Sequence, residues 1–362
     1  MKTELKAVCL LVALTGACTI AEAANVKVTP IGQRTGEFCA QDRAILFEDP
    51  TGVRILYNPG NTVAGAADAR FGVVHAILVS HAHSDHLGSA KLNQDPNSGG
   101  ASCSSAVTTP APSSNTADIA AGKQSAVLAG GPLATVIGRL IAAVTGSPTS
   151  GCPASGLTNE MTVPRTTPCT AGLGLGAKRT IRLASATQGV QVTAVTAQHP
   201  NELSSAFLAD PERTNLSANG LGAYVGLANG FVVTFTNRLR VYLSGDTGLS
   251  SDMSAIVGDY YEAALAVINI GDIFTTGPEE AAFAMSELVR PASVIPSHVN
   301  EAATQGGVAV AGSRAARFID LLTPGNGNGA KNGHGGVSVY LPLSGVTMEF
   351  DDSGRCKAGC PR

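Results

Sequence analysis

One stretch limits this chain more than any other: His81-Ala82-His83-Ser84-Asp85-His86-Leu87-Gly88. It follows an apolar run, Val73 to Val79, which reads as a buried strand interrupted only by His75. Three imidazoles and a carboxylate within six positions cost stability unless something pairs with them, and a metal ion is the natural partner. Four of the seven histidines fall between positions 75 and 86. Any fold this chain adopts has to bring a buried strand up to a crowded polar cluster.

Further ligand types occur in comparable settings. His199, Asp246 and His298 each follow an apolar or β-branched run, and strand ends on one rim of a sheet can converge although far apart in sequence. Imidazole and carboxylate together suit Zn²⁺, with Mn²⁺ or Fe as alternatives. His81, His83, Asp85, His86, His199, Asp246 and His298 exceed what one ion needs, so the set favours two divalent ions about 3.5–4 Å apart.

The rest of the chain reads as alternating strands and helices. Ala44–Glu48 and Val53–Tyr57 form a hairpin across Asp49-Pro50-Thr51-Gly52. Leu87 onward is read as a helix, as is the apolar spacing of Ala117 to Val144, broken at Gly130-Gly131-Pro132. Strands are expected at Ile181–Leu183 and Val190–Val195. A second hairpin, Gly222–Leu227 with Phe231–Thr236, is expected across Ala228-Asn229-Gly230. Leu239–Leu243, Ala264–Ile270, Ser293–Ile295 and Val337–Leu341 complete the strands. Helices are expected from Pro278 through Leu288 and over Ser313–Leu322. Between about 94 and 178 the sequence becomes rich in Ser, Thr, Ala, Gly and Pro. We read that segment as an insertion packed over one face, within a single domain covering 24–362.

The N-terminus has the form of an export signal, residues 1–23. Lys2 and Lys6 precede the apolar run Ala7–Leu14, and Ala21-Glu22-Ala23 fits a cleavage site, with Cys18 lipidation as the alternative. A periplasmic or secreted protein follows, with no integral membrane segment after cleavage, since no later apolar run is long enough to span a bilayer. Six cysteines remain and suit disulfides in that compartment: Cys356 with Cys360, and two of Cys103, Cys152 and Cys169 with each other. A net charge of -3 without a basic cluster argues against nucleic acid and for a small-molecule substrate. The oligomeric state is left open.

The His81-x-His83-x-Asp85-His86 pattern, with His199, Asp246 and His298 downstream in that order, resembles the metallo-β-lactamase superfamily. The resemblance implies an α/β fold, an αββα sandwich with the site on one rim, here carrying the large Ser/Ala/Gly-rich segment. It also implies that His81, His83 and His199 hold one metal, that Asp85, His86 and His298 hold another, and that Asp246 bridges them. Ser244-Gly245-Asp246-Thr247-Gly248, Thr276-Gly277-Pro278-Glu279-Glu280 and Ile295-Pro296-Ser297-His298 look like the L-ascorbate-6-phosphate lactonase-like branch.

Two positions depart from the family pattern. Asn58 and His75 stand where aspartates are common, and either would contact the ligands or substrate; His334, in a Gly-rich loop, is a further substrate-contact candidate. The expected chemistry is hydrolysis of a small ester, lactone or phosphoester. Paired cations make hydroxide available near neutral pH, and Asp85 and Asp246 handle its proton. A β-lactam hydrolase and a mononuclear iron dioxygenase are the alternatives on the same fold.

Overall fold

The computed structural model describes residues 24–98, 103, 106–323 and 336–361; the export segment, Cys18 and His334 lie outside them. Two mixed sheets face one another. The first runs, in spatial order, through Cys356–Ala358, Met348–Phe350, Val26–Ile31, Ala44–Glu48, Arg54–Tyr57, Ala76–Leu78, Ala126–Ala129, Cys169–Gly172 and Ser150–Gly151. The second runs through Ser338–Val339, Ser293–Ser297, Leu265–Asn269, Arg240–Leu243, Asn229–Thr234, Val190–Thr196, Lys178–Leu183 and Glu160–Val163.

Side-chain alternation explains the layering. Ala76 and Leu78 point between the sheets, where Phe47, Tyr57, Phe231, Phe235 and Leu243 meet them. Ile77 and Val79 point the other way, onto Ile119, Leu133 and Ile137 of the helices Asn115–Lys123 and Gly131–Thr145. The second sheet repeats the scheme. Leu265 and Val267 face the intersheet core, while Ala266 and Ile268 pack on Ala281, Met285 and Phe318 of the outer helices. A strand covered on both faces has no solvent side, so its sequence is an unbroken apolar run rather than an alternating one. The order helix, sheet, sheet, helix is the expected αββα sandwich.

Several local expectations change. The helix at the motif spans Ser84–Leu87 rather than starting at Leu87. Gly88, at φ +79°, ends it with its N–H on the Ser84 carbonyl. A Cβ at Gly88 would come within 2.4 Å of the Gly60 carbonyl oxygen, so no other residue fits that turn. The Gly222–Thr236 hairpin does not form. Ala223–Tyr224 pairs instead with Glu202–Leu203, while Asn229–Thr234 lies between Val190–Thr196 and Arg240–Leu243. The helix opened by Pro278 runs to Phe283 and continues as a π-helix over Ala284–Val289.

The 94–178 segment is more than a cover over one face. Its Ala126–Ala129 run, hidden by sequence inside an apparently helical spacing, is an interior strand of the first sheet. It pairs in parallel with Ala76–Leu78 on one side and Cys169–Gly172 on the other. Four residues are too few to show a period of their own. Disulfides join Cys39 to Cys103, Cys152 to Cys169 and Cys356 to Cys360. The last two agree with the expected pairings, and the first ties the segment to the loop before Ala44.

Candidate metal centre

The site sits where strands of both sheets end on one rim. Ala76–Leu78 runs through Val79 and Ser80 into His81, and the short helix Ser84–Leu87 carries Asp85 and His86. From the second sheet, Val190–Thr196 leads to His199, Arg240–Leu243 to Asp246 and Ser293–Ser297 to His298. All seven ligand candidates converge. Three groups have ligand atoms within 4.8 Å of one another: His81, His83 and His199; Asp85, His86 and His298; and His81, His86 and Asp246.

Asp246 is the centre of the cluster. Its Oδ2 lies 3.8 Å from His81 Nε2, 3.7 Å from His199 Nε2 and 3.0 Å from His298 Nε2, while Oδ1 lies 3.2 Å from His86 Nε2. Asp85 Oδ2 is 3.2 Å from His298 Nε2 and 3.5 Å from His86 Nε2. His199 Nε2 and His83 Nδ1 face each other at 3.2 Å. His81 and His86 are essentially inaccessible to solvent, yet His81 Nε2 and both ring nitrogens of His86 have no hydrogen-bond partner among the described residues. A buried imidazole nitrogen left without a partner costs free energy, and a cation at the centre of these donors supplies the partner. The donor set fits a metal.

The electrostatics prepare the same donors. Burial, reinforced by neighbouring imidazoles, holds His81 well below the ordinary histidine range and lowers His83; His199 is pushed down to about 4, again chiefly by burial. Neutral imidazoles are the form that binds metal. Burial opposes the charges on Asp85 and Asp246. The surrounding histidines prevail, with Arg43 helping at Asp85, and hold both carboxyls well below their usual range. His298 runs the other way: burial and Arg43 lower it, but the carboxylates of Asp246 and Asp85 win and raise it.

Residues that carry no motif hold the ligands in place. Arg43, almost fully buried, donates to Asp85 Oδ2 from Nε at 3.2 Å and Nη2 at 3.0 Å, and from Nη2 to Asn300 Oδ1 at 3.3 Å. Asn201 Oδ1 accepts the Ala82 N–H at 2.8 Å, fixing the loop between His81 and His83. The Tyr57 hydroxyl accepts the Gly245 N–H at 2.9 Å. Gly245 adopts φ +64°, and a Cβ there would come within 2.8 Å of the Asn229 carbonyl oxygen, which is why glycine precedes Asp246. Asn269 accepts from Thr247 N and Ser244 Oγ, both at 3.2 Å, and donates to Thr276 Oγ1 at 2.6 Å, bracing the same loop. Of these, Asn201 carries a cue in its position two residues after His199. Arg43, Tyr57 and Asn269 lie in stretches that give none.

The two departures from the family pattern separate here. Asn58, at φ +40°, reaches His81 through an intermediary: its Nδ2 donates to Ser80 Oγ at 3.0 Å, its Oδ1 accepts the Ser80 N–H, and Ser80 Oγ lies 2.9 Å from His81 Nδ1. The imidazole therefore meets a hydroxyl rather than the expected amide. His75 does not take the expected place beside the ligands. It lies at the far end of its strand, where its Nδ1 accepts the Arg54 N–H at 3.0 Å. The start and the end of one strand sit on opposite rims of a sheet, so nearness to the motif in sequence does not bring His75 to the site.

Comparison with known proteins decides the lineage. Residues 41–298, which include every ligand candidate, match the family described as the Beta-lactamase superfamily domain. The chain belongs to the beta-lactamase superfamily. Within it, the chain is similar to a UPF0173 metal-dependent hydrolase of Cupriavidus taiwanensis, 35% identical over 146 residues, which is 38% of this chain and 47% of that protein. A UPF0173 metal-dependent hydrolase of Methanospirillum hungatei is 45% identical over 85 residues, 24% of this chain and 37% of that one. The matched stretches span less than half the length of these relatives. Among solved structures, Igni18, a metallo hydrolase from Ignicoccus hospitalis, is similar in fold with a TM-score of 0.52 and 18% identity, over 91% of this chain and 100% of that one. This chain's His and Asp groups are placed to bind metal.

A cleft of about 880 Å³ opens over the cluster, lined by Arg43, His83, Asp85, His199, Asp246 and His298 at its base. Among the described residues, no helix is long and apolar enough to cross a membrane.

Proposed function

We propose that this chain is an exported hydrolase that holds two divalent metal ions, with zinc the expected metal and manganese or iron also compatible with its ligands, and that it cleaves a small ester, lactone or phosphoester. His81, His83 and His199 would hold one ion, Asp85, His86 and His298 the other, with Asp246 between them. The observation that carries the reading is the position of Asp246, whose carboxylate approaches histidines of both sets, His81, His199 and His298 through Oδ2 and His86 through Oδ1.

Bound there, the ions would acidify a water and polarise the carbonyl or phosphoryl oxygen under attack. The chain's own part is placement and proton handling. Both carboxylates line the cleft, but the Asp246 side chain is 4% exposed and that of Asp85 23%. Asp85 is therefore the carboxylate that takes the proton from the attacking water and passes it to the leaving oxygen, while Arg43 fixes its orientation. Asp246 stays ionised and orients the water. The buried imidazoles exclude bulk solvent from one side of the reaction.

Export is supported by the disulfides, which join all six cysteines beyond the N-terminal segment and suit an oxidising compartment. Metal analysis coupled to a panel of lactones, carboxylic esters, phosphodiesters and β-lactams tests the proposal. Two ions per chain with ester or lactone cleavage is the expected result. Fewer than one ion with no cleavage overturns it, and β-lactam turnover or oxygen consumption with a single iron would favour the alternatives.

A further inference from the structure

Resting on the hydrolase reading above, we infer that the preferred substrate is an ester or lactone without a charged group on its acyl side, carrying an apolar arm of several methylenes along one wall of the cleft. That wall is built from two parts of the chain. Leu203, Leu208, Leu216 and Leu221 come from the segment around the Glu202–Leu203 and Ala223–Tyr224 pair, and Ile273 and Phe274 from the loop beside His298.

Three observations point this way. The first is exposure: Leu221 is 63%, Ile273 80% and Phe274 73% accessible, and all three line the same cleft. Large apolar residues grouped in solvent at the mouth of a cleft mark a ligand surface. The inner end of the wall is continuous with buried packing, since Leu203 and Leu208 rest on the cluster beneath the first sheet's helices.

The second is the way Ile273 and Phe274 are presented. Asp272 and Ile273 both have φ +61°, a conformation that a β-branched residue adopts only at a cost. The turn is fixed rather than loose. Asp272 Oδ1 accepts the Ile273 N–H at 2.8 Å, the Phe274 N–H reaches the Asp272 carbonyl at 2.6 Å, and Thr276 is tied to Asn269. A strained, pinned turn that holds two apolar side chains in water has no packing reward in the free protein. A ligand supplies it.

The third is charge. The cleft's arginines are Arg43 and Arg314. Arg43 is committed to Asp85 and Asn300, and Arg314 pairs with Glu301 at 3.0 Å. Glu202 adds a carboxylate on the apolar side. Among the described residues, a phosphate or carboxylate arm would meet no unmatched cation there.

The test uses the full metal-loaded chain with p-nitrophenyl esters from acetate to octanoate, plus an ester whose acyl chain ends in phosphate. We expect kcat/KM to rise by about fourfold per methylene until the wall is covered. Phe274→Ala and Leu221→Ser should flatten that slope through KM. Both residues are exposed, so folding is not at stake, and Tyr260→Ala, an exposed aromatic outside the cleft, should leave the slope unchanged. A second readout separates this inference from the reading beneath it: calorimetric binding of butanol through decanol to the same protein involves no bond cleavage. Chain-length-dependent alcohol binding without turnover of any ester overturns the hydrolase reading and keeps the apolar wall. Ester turnover that is flat with chain length, or fastest for the phosphorylated ester, overturns the wall.

Discussion

The two sheets reach the same site by different means. The first delivers four ligand candidates, His81, His83, Asp85 and His86, from a single loop and helix turn at the end of one strand. The second delivers one each from three strands whose ends lie far apart in sequence, His199, Asp246 and His298. A local cluster needs only a strand end and a turn. A dispersed cluster needs the whole sheet in register, so its ligands are only as well placed as the packing behind them.

Asp246 is the point where the two arrangements meet, and its loss should have the largest effect. Asp246→Ala is expected to lower hydrolysis by about 10³-fold or more in a steady-state assay, because both halves lose a shared carboxylate. Retention of most activity would mean the halves do not depend on each other.

The next effect tests the strand hidden in the 94–178 segment. Leu128 points into the intersheet core next to the strand that carries the motif. Leu128→Ala should cost about 2–5 kcal/mol in a denaturant titration. A cost below about 0.5 kcal/mol would show that the segment covers the fold instead of forming it. Beside it, Cys152→Ser with Cys169→Ser removes the loop closed over a separation of 17 residues and should cost about 3 kcal/mol. The expected loss is in thermal stability, with metal content unchanged, since neither cysteine lines the cleft over the ligands.

The smallest effect sharpens the contrast at the motif itself. Ser80→Ala removes the hydroxyl beside His81 Nδ1 and should weaken metal binding by about 10-fold, with the fold intact by circular dichroism. Asn58→Ala should do the same to a lesser degree, because Asn58 acts through Ser80. If Asn58→Ala proved the more damaging, the order of that relay would be wrong.

What could be read from sequence follows the same division. The motif was legible because its chemistry is local: polar ligand types at fixed spacing after an apolar run point to a metal and to little else. His199, Asp246 and His298 were legible only once that motif gave them a reason to converge. The Ala126–Ala129 strand was not, since a short apolar element buried on both sides shows no period. The false hairpin over 222–236 arose from turn chemistry at Asn229-Gly230, where long-range pairing to Val190–Thr196 wins. Arg43 was invisible because its role depends on a loop folding back over the motif, a contact between positions 43 and 85.

The central claim is that the second sheet completes both metal positions, one through His199 and one through His298, and that both are filled. Calorimetric titration of the metal-free chain with Zn²⁺, run on the wild type, His199→Ala and His298→Ala, measures it directly. The account predicts two equivalents for the wild type and one tight equivalent for each variant. A single equivalent in the wild type, or a variant that keeps both, would contradict it.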